Sequence, residues 1–210
     1  MERLRKQFAA GMMDEASMGL VASESNPSGR AGHVAGYPVG SIFSSRKACS
    51  DARVHGKTVA GIHGTKAHGA YSICMSGGYE DDRDEGDFII YTGTGGQGDA
   101  YGGPSSQRQD QSFEHPDNAA LARNKETGRP VRVIRGPNKH SEWAPGYGYR
   151  YDGLYRVEQA YLAKGKSGHV ICRFELRRLD GQDPIPVQVS LPAPVTTRRQ
   201  SQSKVTRAVR

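Results

Sequence analysis

Gly168-His169-Val170-Ile171-Cys172-Arg173-Phe174-Glu175-Leu176-Arg177-Arg178-Leu179 alternates like a strand with one face in a core and the other in water. Val170, Cys172, Phe174 and Leu176 fall on one face, and Arg173, Glu175 and Arg177 on the other. Elsewhere in the chain Tyr71 to Met75, Phe88 to Thr92, Val131 to Arg135 and Leu154 to Val157 read the same way, each bounded by Gly, Pro or Asp. Helix signals are fewer. Ser44 to Ala52 is one, and Asn118 to Lys125 is another, with Asp117 as its N-cap after Pro116 and Gly128 just past its end. With 27 Gly and 11 Pro in 210 residues, short strands joined by many turns fit better than a helical bundle. The pattern predicts one β-rich α+β domain with a few flanking helices, over about residues 31 to 190, and no internal repeat.

The ends read differently. Residues 1 to 30 combine a short helical stretch, Glu2 to Ala10, with a Ser/Gly/Asn-rich run, and are expected to form a flexible arm. Residues 191 to 210 hold Arg198, Arg199, Lys204, Arg207 and Arg210 with no acidic residue, which predicts a basic disordered tail: a phosphate-contacting or nuclear-import arm, or simply a solvated end.

The formal charge of +7 and pI near 9.4 gather polyanions, among which nucleic acid is the commonest partner. The mean hydropathy is −0.68, and no apolar run approaches the roughly 20 residues that span a bilayer. The N-terminus lacks a signal-peptide core, so a soluble intracellular protein without membrane contact is expected. Cys49, Cys74 and Cys172 are scattered and odd in number, which fits a reducing compartment and excludes a zinc ribbon built from CxxC pairs.

The stretch Ser76-Gly77-Gly78-Tyr79-Glu80-Asp81-Asp82-Arg83-Asp84-Glu85-Gly86-Asp87, followed by Tyr91-Thr92-Gly93-Thr94-Gly95-Gly96, is acidic inside a basic chain. An EF-hand starting at Asp82 needs Gly sixth and Glu twelfth; the chain has Asp87 and Gly93, so no metal site is expected there. A carboxylate accepts hydrogen bonds from the cytosine amine, tyrosines can sandwich a base, and glycines let backbone approach its edge. Tyr79, Asp82 and Tyr91 supply those parts. A glycine-rich hairpin with a solvated acidic turn is the commoner use of such residues, and the residues alone leave both readings open.

Thr58-Val59-Ala60-Gly61-Ile62-His63-Gly64, Gly69-Ala70-Tyr71-Ser72, Ser76 to Asp82, Tyr91 to Gly96, Pro130 to Gly136 and Tyr149-Arg150-Tyr151-Asp152-Gly153-Leu154-Tyr155, in this order and spacing, closely resemble the SRA (SET- and RING-associated, or YDG) domain. The resemblance spans about residues 31 to 180. It implies a twisted β-barrel of PUA-like type that grips duplex DNA and flips out 5-methylcytosine without chemistry or cofactor. On this chain it implies Tyr79 and Tyr91 stacking on the base and Asp82 with the Thr92 backbone on its Watson–Crick edge. Ser76, Gly78, Thr94 and Gly95 would line the methyl cavity, and Val59 would fill the gap left in the helix. Arg53, Lys57, Lys66 and Arg108 are candidate phosphate contacts. His63 and the Tyr151-Asp152-Gly153 segment are read as packing groups.

Vertebrate members carry an Asn-Lys-Arg finger after the Tyr-Thr-Gly strand. Gln97 to Arg108 lacks it here, which removes the ground for expecting a preference for hemimethylated CpG. The principal rival is the DNA-recognition subunit of a modification-dependent endonuclease, although the residues after Leu179 contain no histidine for an HNH unit. A zinc deaminase lacks its H-x-E and P-C-x-x-C signatures. A glycosylase using Asp82, or a histone or chromatin adaptor using the acidic run, stays open. The Gly-Ala-Tyr-Ser and Asp110-Gln111-Ser112-Phe113 segments resemble eukaryotic, fungal members and point to the nucleus.

Overall fold

Strands β3 (Gly69–Met75) and β6 (Val131–Arg135) are buried along their whole length and pair in parallel, so both of their faces must be covered. The structure, a computed structural model, describes residues 31–97 and 107–187. The expected helix over Glu2 to Ala10 and the basic tail fall outside the described residues. Around the central pair run β1 (Ile42–Phe43), β2 (Ile62–Thr65), β4 (Arg83–Asp84), β5 (Phe88–Thr92), β7 (Tyr149–Lys164) and β8 (Val170–Arg178). The helices are α1 (Arg46–Asp51) and α2 (Pro116–Thr127).

The sheet order is β2-β3-β6-β7-β8-β5-β4, with β1 added on β7. Period-2 alternation divides the core between its two faces. Ile73, Met75, Val131, Val133, Phe174 and Leu176 meet Leu121 of α2, while Cys74, Ile134 and Tyr151 meet Phe43, Cys49 and Val54 around α1.

Several expectations need correction. No pairing joins β2 to β4, so among the described residues the sheet is open where the resemblance implied a barrel. A strand of two residues, Arg83–Asp84, is too short to extend the ladder further, and its pairing is spent on β5. The N-cap of α2 is His115, whose ring accepts from the Asp117 amide at 3.2 Å; Pro116 and Asp117 are already helical. Leu154 to Val157 proves to be the middle of the 16-residue β7, bent by a bulge between Val157 and Gln159. The expected strand Gly168 to Leu179 is β8, and its four named inward residues are buried or nearly so.

Helix α2 is held by amides rather than by a wide apolar stripe. Asn124 is buried and closes a two-way bond with the Ala70 backbone, 2.6 Å from its N–H and 3.0 Å from its carbonyl. Asn118 likewise accepts from the Thr94 amide at 2.8 Å and donates to the Thr94 carbonyl at 3.0 Å. Each pairing satisfies strand-end groups that burial would otherwise orphan.

The Tyr151-Asp152-Gly153 segment lies inside the sheet. Asp152 is fully buried, accepting from Arg135 at 2.9 Å and from Arg150 at 2.5 Å. Arg135 also reaches Asp84 at 2.7 Å and the Gly86 carbonyl at 2.8 Å. Removing one partner from a buried ion network leaves a charge uncompensated. Asp152→Ala is therefore predicted to lower unfolding free energy by about 3 to 5 kcal/mol, read as a drop in the urea midpoint at unchanged m-value.

Candidate base-binding site

After Met75 the chain leaves β3 through Gly77, at φ 72, and forms the acidic run, which rejoins the sheet only at the two-residue β4. Its carboxylates have separate employments. Asp81 accepts from the Lys166 amide at 3.1 Å and from Arg173 at 3.2 Å, which ties the run to the tip of the β7–β8 hairpin. Asp84 is bound by Arg135 and by the Ser141 hydroxyl at 2.8 Å. Glu85 pairs with Arg83. Asp82 alone among these four has no cation partner among the described residues; its Oδ1 accepts from the Thr92 amide at 2.8 Å.

A cavity of about 300 Å³ opens beside this run, lined by Met75, Gly77, Tyr79, Glu80, Asp82, Asp84, Asn138, His140 and Ser141. Two of the three carboxyls in its wall, Asp82 and Asp84, are pushed apart. Burial raises Asp82 to about 7, against the opposing hydrogen bond from Thr92. Burial also acts upward on Asp84, but the Arg135 and Ser141 bonds together outweigh it and hold that carboxyl below the ordinary range. Asp84 is thus a fixed anion of the scaffold, and of the two Asp82 is the one able to answer a ligand.

Of the residues expected in the site, Tyr79 and Asp82 line the cavity directly. Thr94 and the Gly95 backbone lie against the Tyr79 hydroxyl, which burial pushes upward and keeps neutral. Tyr91 and Thr92 are buried and do not line the cavity; Thr92 touches it through the hydrogen bond from its amide to Asp82. Ser76 and Gly78 flank Gly77 on the exit loop, where the Gly78 carbonyl accepts from Gln97 at 3.0 Å. The Tyr91 hydroxyl abuts Gly61, where an added Cβ would collide with it. Val59, at the tip of that loop, is 78% exposed.

The candidate phosphate contacts separate. Lys57 adjoins Val59 on the same loop, and Arg108 follows the Gly96 turn through a 2.8 Å backbone bond. Lys66 lines a separate groove on α2 that shares no residue with the base cavity. Arg53 is exposed and left-handed at φ 59, just beyond α1, a place that favours glycine. His63 accepts from the Gly56 amide at 3.0 Å and packs edge-on against Tyr71, a bracing role.

Sequence reasoning missed the wall formed by Asn138, His140 and Ser141. It also missed the amides that fix the Gly93 to Gly96 turn: Gln107 and Gln111 donate to the Gly95 carbonyl at 2.9 and 3.2 Å, and Asn118 holds Thr94. The available signal was polar: two asparagines inside one short helix, with glutamines just before it, where a core-facing helix normally places apolar residues.

This fold with this cavity has known relatives. A profile of the SAD/SRA domain matches residues 30–182. The chain belongs to the SAD/SRA domain family. The chain is 47% identical over 164 residues to the UHRF1-like protein of Cryptococcus neoformans var. grubii, a match covering 74% of this chain and 48% of that one. The chain therefore spans about half the length of this curated relative. Among solved structures, the modification-dependent TagI restriction endonuclease superposes with a TM-score of 0.68 at 42% identity, over 72% of this chain and 53% of the other. The SUVH5 SRA domain bound to fully hydroxymethylated CG DNA gives 0.62 at 36% identity, over 74% and 98%.

The raised Asp82 carboxyl sets a pH test. Its folded value, about 7, exceeds its unfolded value, near 3.8. The folded state thus holds the extra proton between those limits, and stability falls as pH rises through that window. Asp82→Asn removes this penalty. Thermal melts are predicted to give the variant a higher Tm than the parent at pH 8, with the difference shrinking towards zero as pH approaches 4.

Proposed function

We propose that this chain reads modified DNA, binding a duplex that carries 5-methylcytosine with the modified base turned out of the helix into the Asp82 cavity. The observation that carries the reading is the cavity itself: Tyr79 in the wall, and a half-buried Asp82 carboxyl that has no cation partner among the described residues and is held by the Thr92 amide next to the buried Tyr91. An exocyclic amine is the kind of donor such a carboxyl lacks. The SUVH5 SRA domain, solved with fully hydroxymethylated and with fully methylated CG DNA, supports a site that takes either modification.

In this reading Tyr79 and Tyr91 contact the faces of the flipped base, Asp82 and the Thr92 backbone its Watson–Crick edge, and Ser76, Gly78, Thr94 and Gly95 the methyl side. Val59 enters the stack at the vacated place. Extrusion of a base costs a few kcal/mol, and each base–aromatic stack returns about 1 to 3 kcal/mol. The rest comes from phosphates, for which Arg53, Lys57, Lys66 and Arg108 are the candidate partners in this reading. The chain acts as a reader rather than an enzyme, working in the nucleus on chromatin. The likeness to the TagI endonuclease supports a second reading, in which this unit serves as the DNA-recognition part of a modification-dependent endonuclease.

Fluorescence anisotropy with one duplex in unmodified, hemimethylated, fully methylated and hydroxymethylated forms, at about 0.15 M salt, tests the reading. Modified duplexes are predicted to bind more tightly, and Asp82→Ala to abolish that difference while keeping the unmodified affinity. Equal binding to all four by the parent chain overturns the proposal.

Arg53 gives a prediction of opposite signs. Arg53→Gly relieves about 1 to 2 kcal/mol of left-handed cost and loses about 0.4 to 1 kcal/mol to a freer unfolded chain, a net gain of up to about 1.6 kcal/mol. The variant is predicted to melt higher yet bind every duplex more weakly, with a salt dependence shallower by about one phosphate contact.

A further inference from the structure

Arg46, the first residue of α1, turns its guanidinium away from its own helix and onto the loop that follows. Its Nη2 donates to the Lys57 carbonyl at 3.1 Å and the Ala60 carbonyl at 2.5 Å, and lies 3.0 Å from His55 Nε2. These carbonyls stand on either side of Thr58 and Val59, so one cation fixes both ends of the exposed tip. His55 is itself anchored, with Nδ1 2.8 Å from the Ser72 hydroxyl of β3. Burial, with Arg46 beside it, drives His55 down to about 3, so it stays neutral.

The same brace leads to the base cavity. The Gly61 carbonyl accepts from the Cys74 amide at 2.8 Å, and the Gly61 backbone abuts the Tyr91 hydroxyl. The guanidinium carbon also stands 5.8 Å from the centre of the Tyr149 ring. Arg46 Nε is buried, so this edge of the guanidinium is closed to a phosphate.

We propose that Arg46 is a positioning residue for DNA recognition, holding the Thr58–Val59 tip in its inserting shape before the duplex arrives. The inference rests on the reading of Val59 as the helix-filling residue. A loop ordered in advance avoids the entropy loss of ordering its side chains at binding. Loosening it therefore costs about tenfold in affinity.

The test is a double-mutant cycle on the full chain, Arg46→Gln with Val59→Gly, measuring affinity for methylated and unmodified duplex and the salt dependence of each. The expected result is about a tenfold loss for Arg46→Gln on methylated duplex, with the salt slope unchanged and the loss vanishing in the Val59→Gly background. Additive losses, or a slope reduced by about one charge, overturn the inference and make Arg46 a general structural or phosphate-binding residue. Arg46→Lys, which keeps the charge but not the fork of donors, carries the same cycle if the glutamine variant does not fold. Loss of methyl preference in the parent chain would instead sink the reader function, so the two failures are distinguishable.

Discussion

The Arg135 guanidinium, buried between Asp84 and Asp152, is the constraint on which the site depends. Asp152 lies within the longest strand, and Asp84 lies two residues beyond Asp82 in the acidic run. One cation therefore couples the frame of the sheet to the wall of the cavity. A buried ion pair is weak evidence of stability, since its desolvation rivals its attraction. Its geometry is specific, however, and here it fixes where Asp82 sits. Among the described residues Asp82 has no cation partner, while Arg173 is on Asp81, Arg135 on Asp84 and Arg83 on Glu85.

That division of labour explains an acidic run inside a basic protein. Read as a block, the run suggests a metal site or a solvated turn. In the folded chain its carboxylates do different things: Asp81 ties the run to the β7–β8 hairpin, Asp82 faces the cavity, and Asp84 completes the core ion network. Among the described residues no three His, Cys, Asp or Glu side chains gather where they could hold a metal ion.

Much of this was legible in the chain. The alternation in β8 and the boundaries of β5 and β6 followed from period-2 patterning and turn residues, because those strands have one face or both in a single core. The helix ends were less legible. His115 caps α2 because Pro116 fixes the first helical turn, whereas N-cap propensity favours Asp117 and so misplaces the boundary. The far half of β7 was missed because its apolar residues, Ala160 to Ala163, are consecutive rather than alternating, and the stretch is half-buried or exposed. The order of six motifs pointed to the family, and the cavity residues Tyr79 and Asp82 came with it. Asn138, His140 and Ser141 could not be found that way: they reach the cavity through a loop more than 50 residues further along the chain, and only the β3–β6 pairing brings that loop back. The open sheet was equally invisible, since strand order is set by which edges run out of length rather than by any local signal.

The central claim is that a modified cytosine leaves the duplex for the Asp82 cavity, and the most direct test is a crystal structure of this chain with a duplex carrying one 5-methylcytosine. The account predicts the base outside the helix between Tyr79 and Tyr91, with Asp82 on its Watson–Crick edge and Val59 at the vacated position. A methylcytosine still stacked and paired inside the duplex, with the cavity facing solvent, would contradict it.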